Sequence, residues 1–199
     1  MNARLFLSFS ILLVLSFIQP PKAQESIQYG TPYDTVFLKN ETKLIYSATD
    51  KSRIIRIINP TVDTILRKMD IHSSISLLGK VKADFVDCFV LYEDLDGFDE
   101  MQIYQKETGK LLAGGPVVAF DTLTKVICYA NWDKQDILYL YDFNRHAIEK
   151  YFTPSTNCLH YWYCIQVKAV TDTQFTIEYY AKNTNIKTKK TFTRSKTAP

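Results

Sequence analysis

Apolar stretches alternate with short polar turns along most of this chain. Within the stretches apolar and polar side chains alternate, as at Thr176, Ile177 and Glu178, which is the period of a β-strand. The turns contain Asn, Asp, Gly or Thr, residues that close hairpins by local hydrogen bonds or by accepting a positive φ. Six hairpins are predicted, at residues 36–46, 55–66, 101–112, 118–129, 138–148 and 175–192. The pattern therefore predicts an all-β protein, an antiparallel meander of hairpins.

One stretch also fits a helix. Val62, Ile65, Leu66 and Met69 have helical spacing, and the preceding Asn-Pro pair is typical of a helix start. The hairpin is favoured, because residues 54–58 and the turn that follows match the other repeats.

The spacing of the hairpins groups them into about four units of about 40 residues, a repeat length seen in propeller blades. The turns at residues 107–110 (ETGK) and 121–125 (DTLTK) resemble those of β-propeller repeats, in which a strand leads into D-x-x-T-G-K and out again. The resemblance covers the hairpins alone. It implies a propeller-like toroid or a stack of blades, with a binding face built from loops, and it implies no activity. A closed β-barrel of about eight strands is the alternative for this length.

Residues 1–23 have the layout of a secretory signal peptide. An apolar run at residues 5–18 follows a short charged start, and Pro20 and Pro21 end it before the small Ala23. The run is shorter than the roughly 20 apolar residues that span a bilayer. We expect cleavage near Gln24, a single all-β domain over residues 24–199, no membrane span after cleavage, and a secreted or periplasmic location.

Charge narrows the range of partners. Loss of Arg4 and Lys22 with the signal peptide lowers the formal net charge from +3 to +1, whereas a dedicated nucleic-acid binder usually has a strong basic excess. The C-terminus is locally basic, and we interpret it as a solubilising edge strand followed by a frayed tail. Its positive residues are Lys182, Lys187, Lys189, Lys190, Arg194 and Lys196.

The four cysteines fit disulfide bonds in an exported protein. A Cys158–Cys164 bond would close a small aromatic loop, and a Cys88–Cys128 bond would join two apolar strands. The alternative for Cys88 and Cys128 is a pair of buried free thiols. A second interpretation makes Cys158, His160 and Cys164 metal ligands, although a zinc site would need a fourth ligand.

Acidic residues cluster around Gly97 in the sequence EDLDGFDE. Carboxylate oxygens at short range favour Ca²⁺, and Asp94, Asp96, Asp99 and Glu100 are the candidate ligands. The alternative is a solvated turn between two strands. Calcium is the one cofactor that the sequence suggests.

Trp132, Tyr161, Trp162 and Tyr163 are the best candidates for binding a partner. Aromatic side chains combine apolar area with polar tips and often anchor interfaces or stack on sugars. The alternative is packing in the core. If residues 161 and 162 lie in a strand, one side chain points inward and the other outward.

The sequence contains no catalytic signature. G-x-S-x-G, H-E-x-x-H and a glycine-rich phosphate loop are all missing. We therefore expect a secreted, non-catalytic binding or interaction protein with a protein or carbohydrate partner. The alternatives are a small secreted hydrolase with acidic catalytic residues, and a ligand-carrying β-barrel.

Overall fold

The computed structural model describes residues 30–95, 98–134, 136–156, 158–184 and 186–195, and the predicted signal peptide lies outside them. The described residues form an all-β, antiparallel structure of three sheets. The first sheet contains β1 (Thr31–Phe37), β2 (Lys43–Ala48), β3 (Ser52–Ile58) and β4 (Asp63–Asp70). The second contains β5 (Lys80–Asp84), β6 (Cys88–Leu95), β7 (Phe98–Gln105), β8 (Leu111–Asp121), β9 (Val126–Ala130), β10 (Ile137–Asp142) and β11 (Ala147–Phe152). The third contains β12 (Ile165–Val170), β13 (Gln174–Tyr180) and β14 (Lys187–Thr193).

Short 3₁₀ helices at Ile75–Leu78 and Tyr161–Cys164 connect the sheets. Of the helices that the structure describes, none has the length and apolar character needed to cross a bilayer.

All six predicted hairpins are confirmed, and in each sheet the strands follow chain order. The stretch that also fitted a helix forms β4. Asn59 Oδ1 accepts hydrogen bonds from the backbone nitrogens of Thr61 and Val62, each at 2.9 Å, which would also suit a helix start. The backbone nitrogen of Asn59, however, donates to the backbone oxygen of Val62 at 2.9 Å and closes a hairpin turn between β3 and β4.

Strand β8 belongs to two meanders. Its first part, residues 111–116, pairs with β7, and residues 117–121 pair with β9. Gly114, Gly115 and Pro116 lie where the partner changes, and Gly115 has a φ of 149°. The second sheet is therefore two four-stranded meanders, β5–β8 and β8–β11, that share one bent strand.

The core lies between successive meanders, including the two meanders of the second sheet. On β6, Phe89 and Leu91 pack against the first sheet, where they contact the layer that includes Ile55. The alternate β6 residue Val90 faces the other way and packs with Ile127 of β9. Because strand side chains alternate between faces, β5–β8 is buried on both of its faces.

The next layer is built in the same way. Cys128 and Leu140 project from the other face of β9–β10, opposite to the face that carries Ile127. They pack against Phe175 and Ile177 of the third sheet. The first sheet, the two meanders of the second sheet and the third sheet are thus stacked face to face in chain order.

Two expectations are wrong. Each sheet ends in unpaired edge strands, so the described residues form no closed barrel. Cys88 and Cys128 form no disulfide, and both are buried free thiols. Cys88 lies in the core layer on one side of β9 and Cys128 in the layer on the other side, so the sheet itself separates their sulfurs.

Candidate binding surface

Five aromatic side chains from three separate segments meet at one end of the second sheet. We call this group the aromatic surface. Its members are Phe98, Trp132, His160, Trp162 and Tyr163. Phe98 stands at the tip of the β6–β7 hairpin, Trp132 follows β9, and the other three belong to the second 3₁₀ segment.

The rings support one another at defined angles. The Phe98 centroid lies 5.1 Å from that of Trp132 and 6.3 Å from that of Tyr163, and both contacts are edge-on. Beneath them, the Trp162 ring lies 5.2 Å from Trp132 and stacks on His160 at 4.9 Å. Such pairs contribute roughly 0.5–1.5 kcal/mol each beyond their buried area. The arrangement therefore holds the exposed rings in fixed orientations.

A disulfide holds the segment that carries three of these rings. Cys158 and Cys164 are bonded, as predicted, with their Cα atoms 5.9 Å apart. Since the bond uses both sulfurs, neither serves as a thiolate ligand, and the metal site with His160 is wrong. Tyr161 anchors the segment to β10, because its hydroxyl donates a hydrogen bond to the backbone oxygen of Ile137. Burial raises the pKa of Tyr161 to about 12, so the hydroxyl stays protonated.

Exposure divides the four candidate residues into two pairs. Trp132 and Tyr163 are 43% and 53% exposed, whereas Tyr161 and Trp162 are only 4% and 6% exposed. The expectation that one of Tyr161 and Trp162 points outward is wrong, because the segment is a 3₁₀ helix and lacks strand alternation. Trp132 and Tyr163 therefore form the part that a ligand can reach, and Tyr161 and Trp162 form its support.

The loop that carries Trp132 is ordered by its own side chains. Asn131 Oδ1 accepts a hydrogen bond from the backbone nitrogen of Asp133 at 2.9 Å, so the chain turns tightly around Trp132. This local bond adds to the ring contacts that orient the indole.

The acidic hairpin borders the aromatic surface at Phe98. Asp94 and Asp99 are exposed and pair across the β6–β7 ladder next to the tip, and Glu100 is half-buried. Asp96 and Gly97 lie outside the described residues, and among the described ones no three His, Cys, Asp or Glu side chains converge on a metal position. Calcium binding therefore stays a prediction.

Glu93, from the same acidic sequence, has a different environment. It is buried and forms an ion pair with Arg67 of β4, in which Arg67 also donates from Nη2 to Oε2 at 2.7 Å. This pair joins the first sheet to β6. One member of the acidic cluster is therefore structural.

A polar depression of about 330 Å³ adjoins the aromatic surface at Tyr163. Gln166, Glu178, Tyr180 and Lys187 line it from the three strands of the third sheet. Glu178 lies 3.4 Å from Lys187 and 3.4 Å from Lys168. Burial would raise the pKa of Glu178, but its bonds to these lysines outweigh burial and lower it, so the side chain is a carboxylate.

Sequence reasoning missed this depression and also missed Phe98. Gln166 and Glu178 face each other only because of the β12–β13 register, and Lys187 reaches them from β14. One sequence pattern points to the depression: strand alternation around Ile177 places Glu178 and Tyr180 together on the solvent face of β13.

The basic C-terminus has an unexpected anchor. Arg194 is buried and donates to Asp142 Oδ2 at 2.7 Å and, through Nη2 and Nε, to Glu149 Oε1 at 2.6 and 2.9 Å. Burial would raise the pKa of Glu149, but the bonds from Arg194 and Tyr151 outweigh it and lower that pKa. This group ties the end of β14 to the second sheet. Lys196 lies outside the described residues.

A second cleft, of about 520 Å³, lies between turns of the first two sheets and is lined by Asn59, Lys106 and His146, among others. Lys106 is already bound there. Its Nζ donates to the backbone oxygens of Lys39 at 3.0 Å and Phe85 at 2.6 Å, and it pairs with Asp84 at 2.6 Å. Lys106 is therefore held by protein groups on the wall of this cleft.

No protein-family model matches the chain, and no curated protein matches it.

Proposed function

We propose that this chain is an exported, non-catalytic binding protein whose ligand contacts the aromatic surface. One observation carries the proposal: Trp132 and Tyr163 are about half exposed although neighbouring rings fix them in place. Large rings that are held rigidly and left in water are typical of binding anchors, because they lose little conformational entropy when a ligand covers them.

The surroundings support binding over structural packing. Phe98, Trp132 and Tyr163 come from three segments that the chain brings together at one place, and a disulfide fixes one of these segments. Scattered single aromatic residues would need no explanation, whereas a contiguous patch indicates an interaction site.

The architecture that we propose is propeller-like. Three four-stranded meanders and a final three-stranded one follow one another in the chain and stack face to face. This supports a propeller-like arrangement, since propeller blades are consecutive antiparallel meanders that pack in this way. The shared strand β8 would then join two neighbouring blade-like units.

Export is part of the proposal. The signal-like pattern of residues 1–23 supports it, and the Cys158–Cys164 bond fits an oxidising compartment. A secreted or periplasmic location would give the aromatic surface access to ligands outside the cell. The small net charge supports partners other than nucleic acid.

Intrinsic fluorescence provides the test, because both tryptophans of the chain belong to the aromatic surface. The oxidised protein is titrated with soluble neutral polysaccharides, with alginate and with a tryptic digest of casein. We expect one of these probes to shift the tryptophan emission saturably. The same probe should not be cleaved on prolonged incubation, so its molecular mass should stay unchanged.

Two variants locate the binding. Tyr163→Ala should weaken the saturable shift at least about tenfold, since hot-spot aromatics often contribute 2 kcal/mol or more. Leu123→Ala removes another exposed apolar side chain, at the opposite end of β9, and should leave the shift unchanged. Equal binding by wild type and Tyr163→Ala, or cleavage of the bound probe, would overturn the proposal.

A further inference from the structure

We infer that the ligand is a neutral carbohydrate chain that lies on Trp132 and Tyr163 and extends into the polar depression beside Tyr163. This inference rests on the proposed function and adds the ligand class and the polar half of the site.

The aromatic half fits sugar rings. One face of a pyranose presents C–H groups, which are apolar, and the faces of Trp and Tyr rings match them in shape and in electrostatic character. Trp132 and Tyr163 both meet Phe98 edge-on, at 68° and 73°, so the one Phe98 ring contacts and supports both of them. Two fixed platforms on one surface suit a ligand of several rings better than a single sugar.

The polar half supplies hydrogen bonds next to these platforms. Around one depression, Gln166 offers an amide, Glu178 a carboxylate, Tyr180 a hydroxyl and Lys187 an ammonium group. Sugar hydroxyls donate and accept at once, so they are recognised by such mixed sets of planar and charged groups. Tyr163 belongs to both halves, because it lines the depression and contacts Phe98.

The polar groups are also held in place. Lys168 donates to Gln166 Oε1 at 2.6 Å, and Glu178 pairs with both Lys168 and Lys187. The Lys187 ammonium lies 5.4 Å from the centre of the Tyr180 ring. A network that exists before the ligand arrives lowers the entropy lost on binding.

The charges favour a neutral chain. Glu178 already pairs with Lys187 of the depression and with Lys168 beside it, and the exposed Asp94 and Asp99 lie next to Phe98 on the β6–β7 hairpin. A polyanion would meet those carboxylates as like charges, whereas a neutral glycan bears no net charge to be repelled.

Titration with defined oligosaccharides tests the inference. The oxidised protein is titrated with cello-, xylo-, manno- and chito-hexaoses, and binding is followed by tryptophan emission and by calorimetry. We expect saturable binding of at least one hexaose, and at least about tenfold tighter binding than that of the corresponding disaccharide. Trp132→Ala and Tyr163→Ala should each weaken it at least about tenfold.

The polar half is tested separately. Glu178→Gln keeps the shape of the side chain but removes its charge, and we expect about tenfold weaker hexaose binding because charge-assisted hydrogen bonds are lost. Glu107→Gln makes the same change at an exposed turn on β7–β8 and should bind like wild type. Unchanged binding by Glu178→Gln would contradict the assignment of the depression.

The outcomes separate this inference from the proposed function. If casein peptides or alginate shift the emission and no hexaose does, the carbohydrate inference fails while the binding function stands. If none of the three probe classes produces a saturable shift, both fail.

Discussion

The indole rings of Trp132 and Trp162 meet edge to face, with centroids 5.2 Å apart and planes at 86°. One ring is half exposed and the other is buried, so the outer indole rests on the inner one. Trp162 Nε1 is buried and has no hydrogen-bond partner among the described residues. The inner indole therefore contributes to this contact by packing, and the position of the outer indole depends on how firmly the 3₁₀ segment is held.

Loss of the Cys158–Cys164 bond should loosen that support. In the Cys158→Ser/Cys164→Ser variant we expect red-shifted tryptophan emission and stronger acrylamide quenching, since Trp162 would gain contact with water. The bond closes a short loop, for which chain entropy gives about 2 kcal/mol of stability. Urea unfolding measures that loss, and far-UV circular dichroism should show intact sheets.

Dithiothreitol provides the control for this prediction. It should shift the emission of wild type and leave that of the double serine variant unchanged. Wild-type emission that does not respond to complete reduction would mean that packing alone holds Trp162.

The hairpins could be predicted because each depends on neighbours in the chain. Asn59 bonds to Val62 within the β3–β4 turn itself, and Cys158 and Cys164 are close in sequence. Interactions between residues that are close in the chain can be predicted from the sequence alone.

The binding surface could be predicted only in part, because it depends on distant segments. Trp132 and Trp162 were recognised as aromatic residues, but the 3₁₀ helix that buries Trp162 replaces the expected strand alternation. Phe98 joins them through the stacking of sheets, which no local pattern reveals. For the same reason the sequence leaves two interpretations open for Cys88 and Cys128, a disulfide or two buried free thiols, since it does not show which face of a buried strand each sulfur occupies.

Arg194→Met should destabilise the protein by about 3–5 kcal/mol at neutral pH. It would leave the half-buried Glu149 without its cation and Asp142 with only Arg145, whose Nε lies 3.6 Å from Oδ2, and removal of one partner from a buried ion group has this cost. Chemical unfolding measures the difference. Lys189→Met removes the same charge from an exposed position on β14 and should change stability by less than about 0.5 kcal/mol.

The pH dependence of unfolding tests the same group. The pKa of Glu149 is held below its usual 4.5, so its contribution to wild-type stability is complete above that pH and is lost as pH falls through the lowered pKa. In Arg194→Met, Glu149 lacks its cation and favours the protonated form, so acidification should reduce the difference in unfolding free energy between this variant and wild type. If the difference in unfolding free energy between wild type and Arg194→Met stays constant from pH 7 to pH 3.5, this role of Arg194 is contradicted.

Cys88 and Cys128 should be inert in the native protein. Burial raises the pKa of Cys88 to about 11 and that of Cys128 further, and both sulfurs lie in core layers. At pH 8, iodoacetamide should therefore add no groups to the native protein, two after unfolding, and four after unfolding with reduction. Mass spectrometry counts them. Two additions to the native protein would show that the strands open readily, and none after unfolding would indicate a second disulfide.

Gly115→Ala should disrupt the strand that joins the two meanders. Gly115 has a φ of 149°, which side chains rarely allow, and an added Cβ would overlap the backbone oxygen of Ala130. Because that oxygen belongs to β9, the clash would separate β8 from the partner it acquires at the bend. We expect a loss of about 3 kcal/mol in unfolding free energy, from backbone strain and overpacking together.

Gly114→Ala is the matched control for this bend. Its φ is not positive, and the nearest atom to its added Cβ is the backbone oxygen of Met101 at 3.3 Å, which a small shift relieves. We therefore expect a loss of less than about 1 kcal/mol. Since Trp132 follows β9, Gly115→Ala should also raise acrylamide quenching of the tryptophans, and Gly114→Ala should not. Equal stability and equal quenching in the two variants would mean that β8 bends without needing the conformation of Gly115.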